Sequence, residues 1–514
     1  MLAFTSAIII FIFASCGLLA ERWVKRRFFL WIPLALLVFA LWVIWLLVPI
    51  GKQAAFIETN WFRIGALNVA FLFRGSIENW FLCFSWLTAC LTILVSAPLR
   101  IYRQRDVDFW IQSAYFTSLG ILAASLQTLW ALAIVWVVFD TFQWLMDKFQ
   151  VEPSKIISFT LPNRVVSWFL LLVSSTLSGL SNEGFLISLL PQTSFLLLLL
   201  AAYLRIFPQS EAEKPERGSS LTKFILRAAQ ITISFGWLWQ YKTGAESFFL
   251  QATIIVLLCV SVVIIGLKSF TREMVTIQLF EFFIIAASIF FVIFKLPSAM
   301  VLILSAWVVY GAILDSSLQH FMPRILFFSI IAFLFSALPF APLFPIFTIW
   351  QSSLVSTILP LLILIIWTYE FYILKITHTQ STIPIPGNEP WQQGLALGII
   401  TLDIFAAGIV TLKVVPVALI FTGLWWVGIP TIFASLVFFG VSQKLEFSNY
   451  GRINKVWNSM NYKLKNSTFF SSLILTLIKS ISTTIEFVNA QLEGSGGILW
   501  ALVILALFLS ASRI

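Results

Sequence analysis

The sequence predicts an all-α fold: a polytopic membrane bundle of about sixteen transmembrane helices, with a lateral amphipathic helix between the last two. Three observations predict it. Of the 514 residues, 60% are apolar and only 11% are charged, too little polar surface for a soluble domain of this length. The apolar residues fall in runs of about 20, the length a helix needs to cross hydrocarbon. The basic residues, whose excess gives a net charge of +10, concentrate in alternate connections between those runs.

Cutting the chain wherever charge, proline or glycine interrupts an apolar run places the span starts in order. They fall near Leu2, Phe28, Asn79, Phe109, Thr128, Val165, Phe185, Ser220, Glu246, Met274, Ser298, Met322, Pro345, Gln392, Val417 and Gly496. The first run has its basic residues, Arg22, Lys25, Arg26 and Arg27, after the apolar stretch and is followed at once by a second run. It reads as a retained span and not as a cleaved signal. With the amino terminus outside, the odd-numbered connections hold twenty-three of the 32 basic residues, the even ones and the carboxyl end seven, and two (Arg205 and Arg227) fall in spans. Lysine and arginine stay on the cytoplasmic side during insertion, so both termini are expected to be extracytoplasmic, in a bacterial inner membrane. The same distribution assigns the positive charge to lipid and not to nucleic acid.

Residues 441–494 break the pattern. Their apolar positions, among them Val456, Met460, Leu464, Phe470, Leu473, Leu477 and Ile481, recur at steps of three and four between basic residues. This predicts a lateral amphipathic helix along the cytoplasmic surface, continuous or broken near Asn466 and Ser467. The domain reading is therefore a bundle over 1–440, the lateral helix over 441–494 and a final span over 495–514.

Charges inside spans cost about 2.5–3.5 kcal/mol each on insertion scales, so those that persist usually face the bundle interior. The candidates are Asp140, Arg205, Arg227, Glu281, Asp315, Glu370 and Asp403. Arg205 and Glu370 lie near span ends, where snorkelling is an alternative. Asp140 and Asp403 sit within runs and suit a proton path or a helix clamp equally. Pro208, Pro339 and Pro342 interrupt runs about 130 residues apart, a pattern of paired broken helices. No cofactor or metal is expected. Cys16, Cys83, Cys90 and Cys259 show no CxxC spacing, and the chain has only His320 and His378. The 22 tryptophans and 52 phenylalanines are assigned to lipid-facing and interfacial positions.

Several stretches resemble one family. RQRDVDFWIQSAYFTSLGILAASLQTLWALAIVWVVFDTFQWL has a basic connection, a span, a short polar turn and a tryptophan-bearing span. LLLLLAAYLRIFPQ followed by SLTKFILRAAQ, GLKSFTREMVTIQLFEF, and MPRILFFSIIAFLFSALPFAPLFP with its proline break add to it. These are similar to the fourth and fifth, seventh and eighth, tenth and twelfth helices of the antiporter-like membrane subunits of complex I and of multisubunit cation/proton antiporters. The similarity spreads over about residues 60–514, and each motif is degenerate. Sixteen spans with outside termini and a lateral helix before the last resemble that family's largest, most distal member. The resemblance implies antiporter-like repeats over about 109–240 and 246–371, partnership with other membrane subunits of a larger complex and contact with lipid. Since the sequence has no Gly-rich phosphate loop, catalytic triad signature or CxxC cluster, no chemistry by this chain alone is expected.

The departures are specific. The family's fifth-helix glutamate would fall at Val137, with Asp140 about one turn further on. Its seventh-helix lysine would fall near Tyr203, two residues from Arg205, and its eighth-helix histidine aligns with Arg227. No lysine stands in FPIFTIW, where the twelfth helix should carry one. Lysine and histidine release protons when their surroundings change, whereas arginine stays charged. The expectation is a non-redox subunit of a proton-translocating respiratory assembly with a degenerate path, and the missing lysines favour a mainly structural role over an altered half-channel. If a path persists, Asp140 with Arg205 or Arg227 admits protons, and Glu281, Asp315 and Asp403 carry them across the midplane. Two other readings compete: a self-standing secondary transporter or lipid-linked saccharide flippase, and a membrane glycosyltransferase, which the lack of a sizeable outer domain disfavours.

Overall fold

A computed structural model of the chain describes residues 2–21, 28–48, 56–64, 67–74, 77–96, 104–150, 157–180, 186–206, 223–241, 297–315 and 390–414, with Ile330 and Ala341. The described residues are almost entirely helical. In chain order they form α1 (Leu2–Glu21), α2 (Phe28–Leu47), α3 (Ile77–Ser96), α4 (Gln104–Ser125), α5 (Leu129–Gln150) and α6 (Ile157–Leu180), then α7 (Gln192–Ile206), α8 (Lys223–Phe235), α9 (Pro297–Asp315) and α10 (Pro390–Val414). The expected spans starting near Glu246, Met274, Met322, Pro345, Val417 and Gly496, the lateral helix over 441–494, and Glu281, Glu370, Pro208, Pro339 and Pro342 lie outside the described residues.

Ten expected spans thus coincide with described helices, and the shifts at their ends have physical causes. α4 begins five residues before Phe109 because its first turn, QRDVDFW, is polar and an apolarity criterion cuts it off. α6 likewise begins at Ile157, which draws Arg164 inside the helix. The run expected from Phe185 is split instead. Ile187–Leu189 forms a single 3-10 turn, and α7 starts only after Pro191, whose carbonyl accepts the amide of Phe195 at 2.9 Å. Proline lacks the N–H that a helix interior needs, so the helix restarts on its far side.

One element departs from the all-α expectation. In the connection between α2 and α3, β1 (Phe56–Ile64) pairs antiparallel with β2 (Leu67–Arg74), from Ile64 opposite Leu67 to Phe56 opposite Arg74, with a bulge between Asn60 and Phe62. Only residues 65 and 66 separate the strands, the shortest common hairpin connection.

The core is organised around α3. Every residue from Asn79 to Ser96 is buried, and α2, α4, α9 and α10 all pack on it. α1 lies along α4, α6 along α7, and α8 touches α4, α7 and α9. Small residues allow the close approaches. Ala7, Ile10 and Ala14 form the buried stripe of α1, and the Ser118 hydroxyl of α4 donates to the Ala7 carbonyl at 2.8 Å. Ser118→Ala should destabilise the bundle by only about 0.6 kcal/mol, the average for such bonds between membrane helices, as read from the thermal unfolding midpoint of the full chain in detergent.

The exterior is apolar where a soluble protein would be polar. Ile8, Ile9, Ile12 and Phe13 of α1, Leu36, Phe39 and Ile44 of α2, and Leu395, Leu402 and Phe405 of α10 are exposed, as helices facing lipid tails require. The tryptophans depart from their expected placement. Trp45, Trp86, Trp136, Trp237 and Trp307 are among the largest fully buried side chains, filling space between helices. Several indoles clamp neighbours: Trp31 Nε1 donates to the Leu94 carbonyl at 2.9 Å and Trp80 Nε1 to the Trp45 carbonyl at 3.2 Å. A buried indole N–H is stabilised by a protein acceptor, and Trp31 and Trp80 find theirs at helix contacts.

Candidate functional site

Two groups of ionisable and polar side chains are buried among the described helices. The first lies where α5, α6, α7 and α8 converge. Steps of four and three put Trp136, Asp140 and Gln143 on one face of α5. Arg164 and Trp168, four apart, face them from α6, Arg205 from the last turn of α7 and Gln230 from α8.

Arg205 grips Asp140 with both guanidinium nitrogens, Nη2 to Oδ1 at 2.6 Å and Nη1 to Oδ2 at 2.9 Å. Its side chain is 4% exposed, so it is buried and does not snorkel. The guanidinium carbon also sits 4.4 Å from the centre of the Trp136 ring, over its electron-rich face. Trp136 is held in turn by its indole N–H, which donates to the Ile233 carbonyl of α8 at 3.0 Å. From α6, Trp168 Nε1 donates to Asp140 Oδ2 at 3.0 Å and Arg164 Nη1 stands 3.5 Å from Oδ1. Arg164 Nη2 donates to Gln143 Oε1 at 2.6 Å, and Gln230 Nε2 reaches the same oxygen at 3.5 Å.

Arg164, which stands just before the span start expected near Val165 and so counts there among the basic residues of a connection, is instead inside α6 and part of the cluster. Val137, where the resemblance puts a glutamate, is 40% exposed and turned away from the cluster, while Asp140 faces it. Arg227 lies on α8 and Asp315 at the end of α9, but their side chains are outside the described residues. What the cluster can do chemically follows from its donors. Arg205, Arg164 and Trp168 only donate, and none can take up a proton. A protonated Asp140 would find no acceptor among them and would lose one of its bonds. Trp168→Phe keeps an aromatic ring, though a smaller one, and removes one donor; a hydrogen bond to a charged group contributes about 1.5–3 kcal/mol, and the unfolding midpoint of the full chain should fall by at least that contribution.

The second group lies between α3 and α10. Asp403 is 2% exposed and accepts the Ser85 hydroxyl at 3.0 Å. Thr88, one turn along α3 and beside this carboxyl, accepts the Trp42 indole N–H of α2 at 3.0 Å. The salt bridges given by the described residues are those of Asp140 with Arg164 and Arg205, and Asp403 takes part in neither.

The fold and these two groups define a helical bundle with an apolar exterior and few, clustered, buried charges. The sequence matches no family model and no curated protein. Among solved structures the fold is similar to a chain of the Mrp complex from Dietzia sp., with a TM-score of 0.62 and 12% identity over 99% of this chain. It is similar also to a chain of respiratory complex I from Thermus thermophilus, with a TM-score of 0.52 and 13% identity over 80% of this chain and 98% of that one. The chain spans 62% of the length of the Mrp chain that it matches. It shares the fold of subunits of these two assemblies.

Proposed function

We propose that the chain is an antiporter-like, non-redox integral membrane subunit of a complex I-like, ion-translocating assembly, and that its role at the α5–α8 junction is structural. The observation that carries the structural role is the two-pronged contact of Arg205 with Asp140, in which every further donor that the described residues give the carboxylate is also unable to accept a proton. A working relay needs a base that can be loaded and emptied; an arginine-gripped carboxylate is a fixed joint between α5 and α7. The reading of an antiporter-like subunit draws support from the shared fold and from the helix-by-helix resemblance of the sequence. In this reading the chain is a degenerate relative of the distal subunit, sits in a bacterial inner membrane with both termini outside, and contacts other membrane subunits and lipid.

The competing reading is a self-standing secondary transporter or lipid-linked saccharide flippase. A blue-native gel of tagged full chain from its own membranes, with mass spectrometry of co-migrating chains, separates the two. The proposal expects stoichiometric membrane partners; a monomer migrating alone contradicts it.

A further inference from the structure

We infer that Asp403, with Ser85 and Thr88, is a reversible proton-binding site on the α3–α10 contact, separate from the locked α5–α8 cluster. The argument rests on the chemistry of the partners. Asp140 is bonded to groups that only donate, whereas Asp403 is bonded to the Ser85 hydroxyl, with the Thr88 hydroxyl beside it. A serine or threonine hydroxyl donates to a carboxylate and, by rotating, accepts from a carboxylic acid, so both protonation states can be satisfied without moving a helix. Thr88 fits this use because the Trp42 N–H occupies one of its acceptor positions and leaves its O–H free to turn. A buried carboxyl that keeps hydrogen bonds in both states can exchange a proton at little structural penalty.

The neighbours from each packed element agree. α3 and α9 pack on α10. On α3 the other titratable groups are Glu78, whose side chain lies outside the described residues as does that of Asp315 at the end of α9, Cys83, whose thiol points at the Ile121 carbonyl of α4, and Cys90, which sits beside Ser113 and Thr117 of α4. On α9, Tyr310 packs against Trp307. Among the described residues no lysine, arginine or histidine forms an ion pair with Asp403. A metal cation is a poorer occupant than a proton. Hard cations gather about six oxygens, and this pocket offers one carboxyl and two hydroxyls, one of them already shared with an indole. On the far side of α10 from the carboxyl, Phe405 is 69% exposed, so the site lies one helix thickness from the apolar exterior.

The test uses the wild-type chain in its native membrane vesicles and dicyclohexylcarbodiimide, which partitions into lipid and reacts with protonated carboxyls. The carboxyl proton passes to a carbodiimide nitrogen and the carboxyl oxygen bonds to the central carbon. The acyl group then migrates to nitrogen as a stable N-acylurea, and nothing leaves. Peptide mass spectrometry should find the adduct on Asp403, with a yield that falls as pH rises, that sodium does not reduce, and that exceeds the yield on Asp140 at every pH. Ser85→Ala should move the pH of half-labelling, and Asp403→Asn should remove the adduct from its peptide. An unlabelled Asp403, a yield independent of pH, or protection by sodium overturns the inference. The labelling does not depend on which chains surround the protein, so its failure is separable from failure of the subunit reading.

Discussion

Asp140→Asn is expected to destabilise the full chain by about 3–5 kcal/mol, because removing one member of a buried ion pair leaves the other charged and unmatched. The structure makes the effect large in one direction. Arg205 is 4% exposed and lies against Trp136, so its guanidinium is largely shielded from water, and Arg164 loses the same carboxylate. Asparagine is isosteric with aspartate, so the loss would not come from packing. Arg205→Met combined with Asp140→Asn should recover much of it, since replacing both charges by neutral groups of similar volume is often neutral or better. The cycle of two single variants and the double one then returns a coupling of roughly 1–3 kcal/mol. Arg205→Lys keeps the charge but not the two-pronged geometry and should fall between wild type and Asp140→Asn. Unfolding midpoints in one detergent read all four; Asp140→Asn within about 0.5 kcal/mol of wild type would mean that the pair is not a joint.

Gly120→Ala should destabilise the α3–α4 contact by at least about 1–3 kcal/mol, the range for overfilling a packed core. A Cβ at Gly120 would lie 2.3 Å from Cε2 and 2.6 Å from Cδ2 and Nε1 of Trp86. Those atoms belong to a rigid, fully buried ring that no rotation of a flexible tip can withdraw. Glycine is needed here for space: the α4 backbone forms the floor on which the indole lies. Among the described residues the indole nitrogen of Trp86 has no hydrogen-bond partner, so shrinking this side chain breaks no bond among them. Gly120→Ala with Trp86→Leu should therefore be more stable than Gly120→Ala alone. A double variant worse than either single would contradict the steric account.

Much of the bundle was legible because span length and apolarity are strong signals. α1, α2, α3, α5, α9 and α10 begin within two residues of the expected starts. The failures share a cause. A rule that cuts spans at charges removes the first turns of α4 and α6, and in α6 it removed Arg164, the residue nearest to the cluster that the reading left in a loop. Its signal was present: Arg164 stands four residues before Trp168, and both sit on one helical face. The β1–β2 hairpin escaped because a search for runs of about 20 residues passes over two short strands; Gly65 between Ile64 and Leu67 was the available turn signal. For the site, sequence gave candidates but not partners. Asp140 and Asp403 looked alike, each a carboxyl inside an apolar run. Only the packing separates them, one against arginines and an indole, the other against hydroxyls. The tryptophans, so numerous that lipid and interface were their natural assignment, proved to include core-filling and helix-clamping residues.

The central claim is that arginine has turned the α5–α7 contact into a fixed joint. The most direct measurement is a high-resolution map of the purified full chain, with whatever subunits accompany it, recorded once in mildly acidic and once in alkaline buffer. The account predicts that Arg205 holds both oxygens of Asp140 in each map, with Trp168 and Arg164 unmoved. A pair that opens in either condition, or a water file running past Asp140 between α5 and α7, contradicts it.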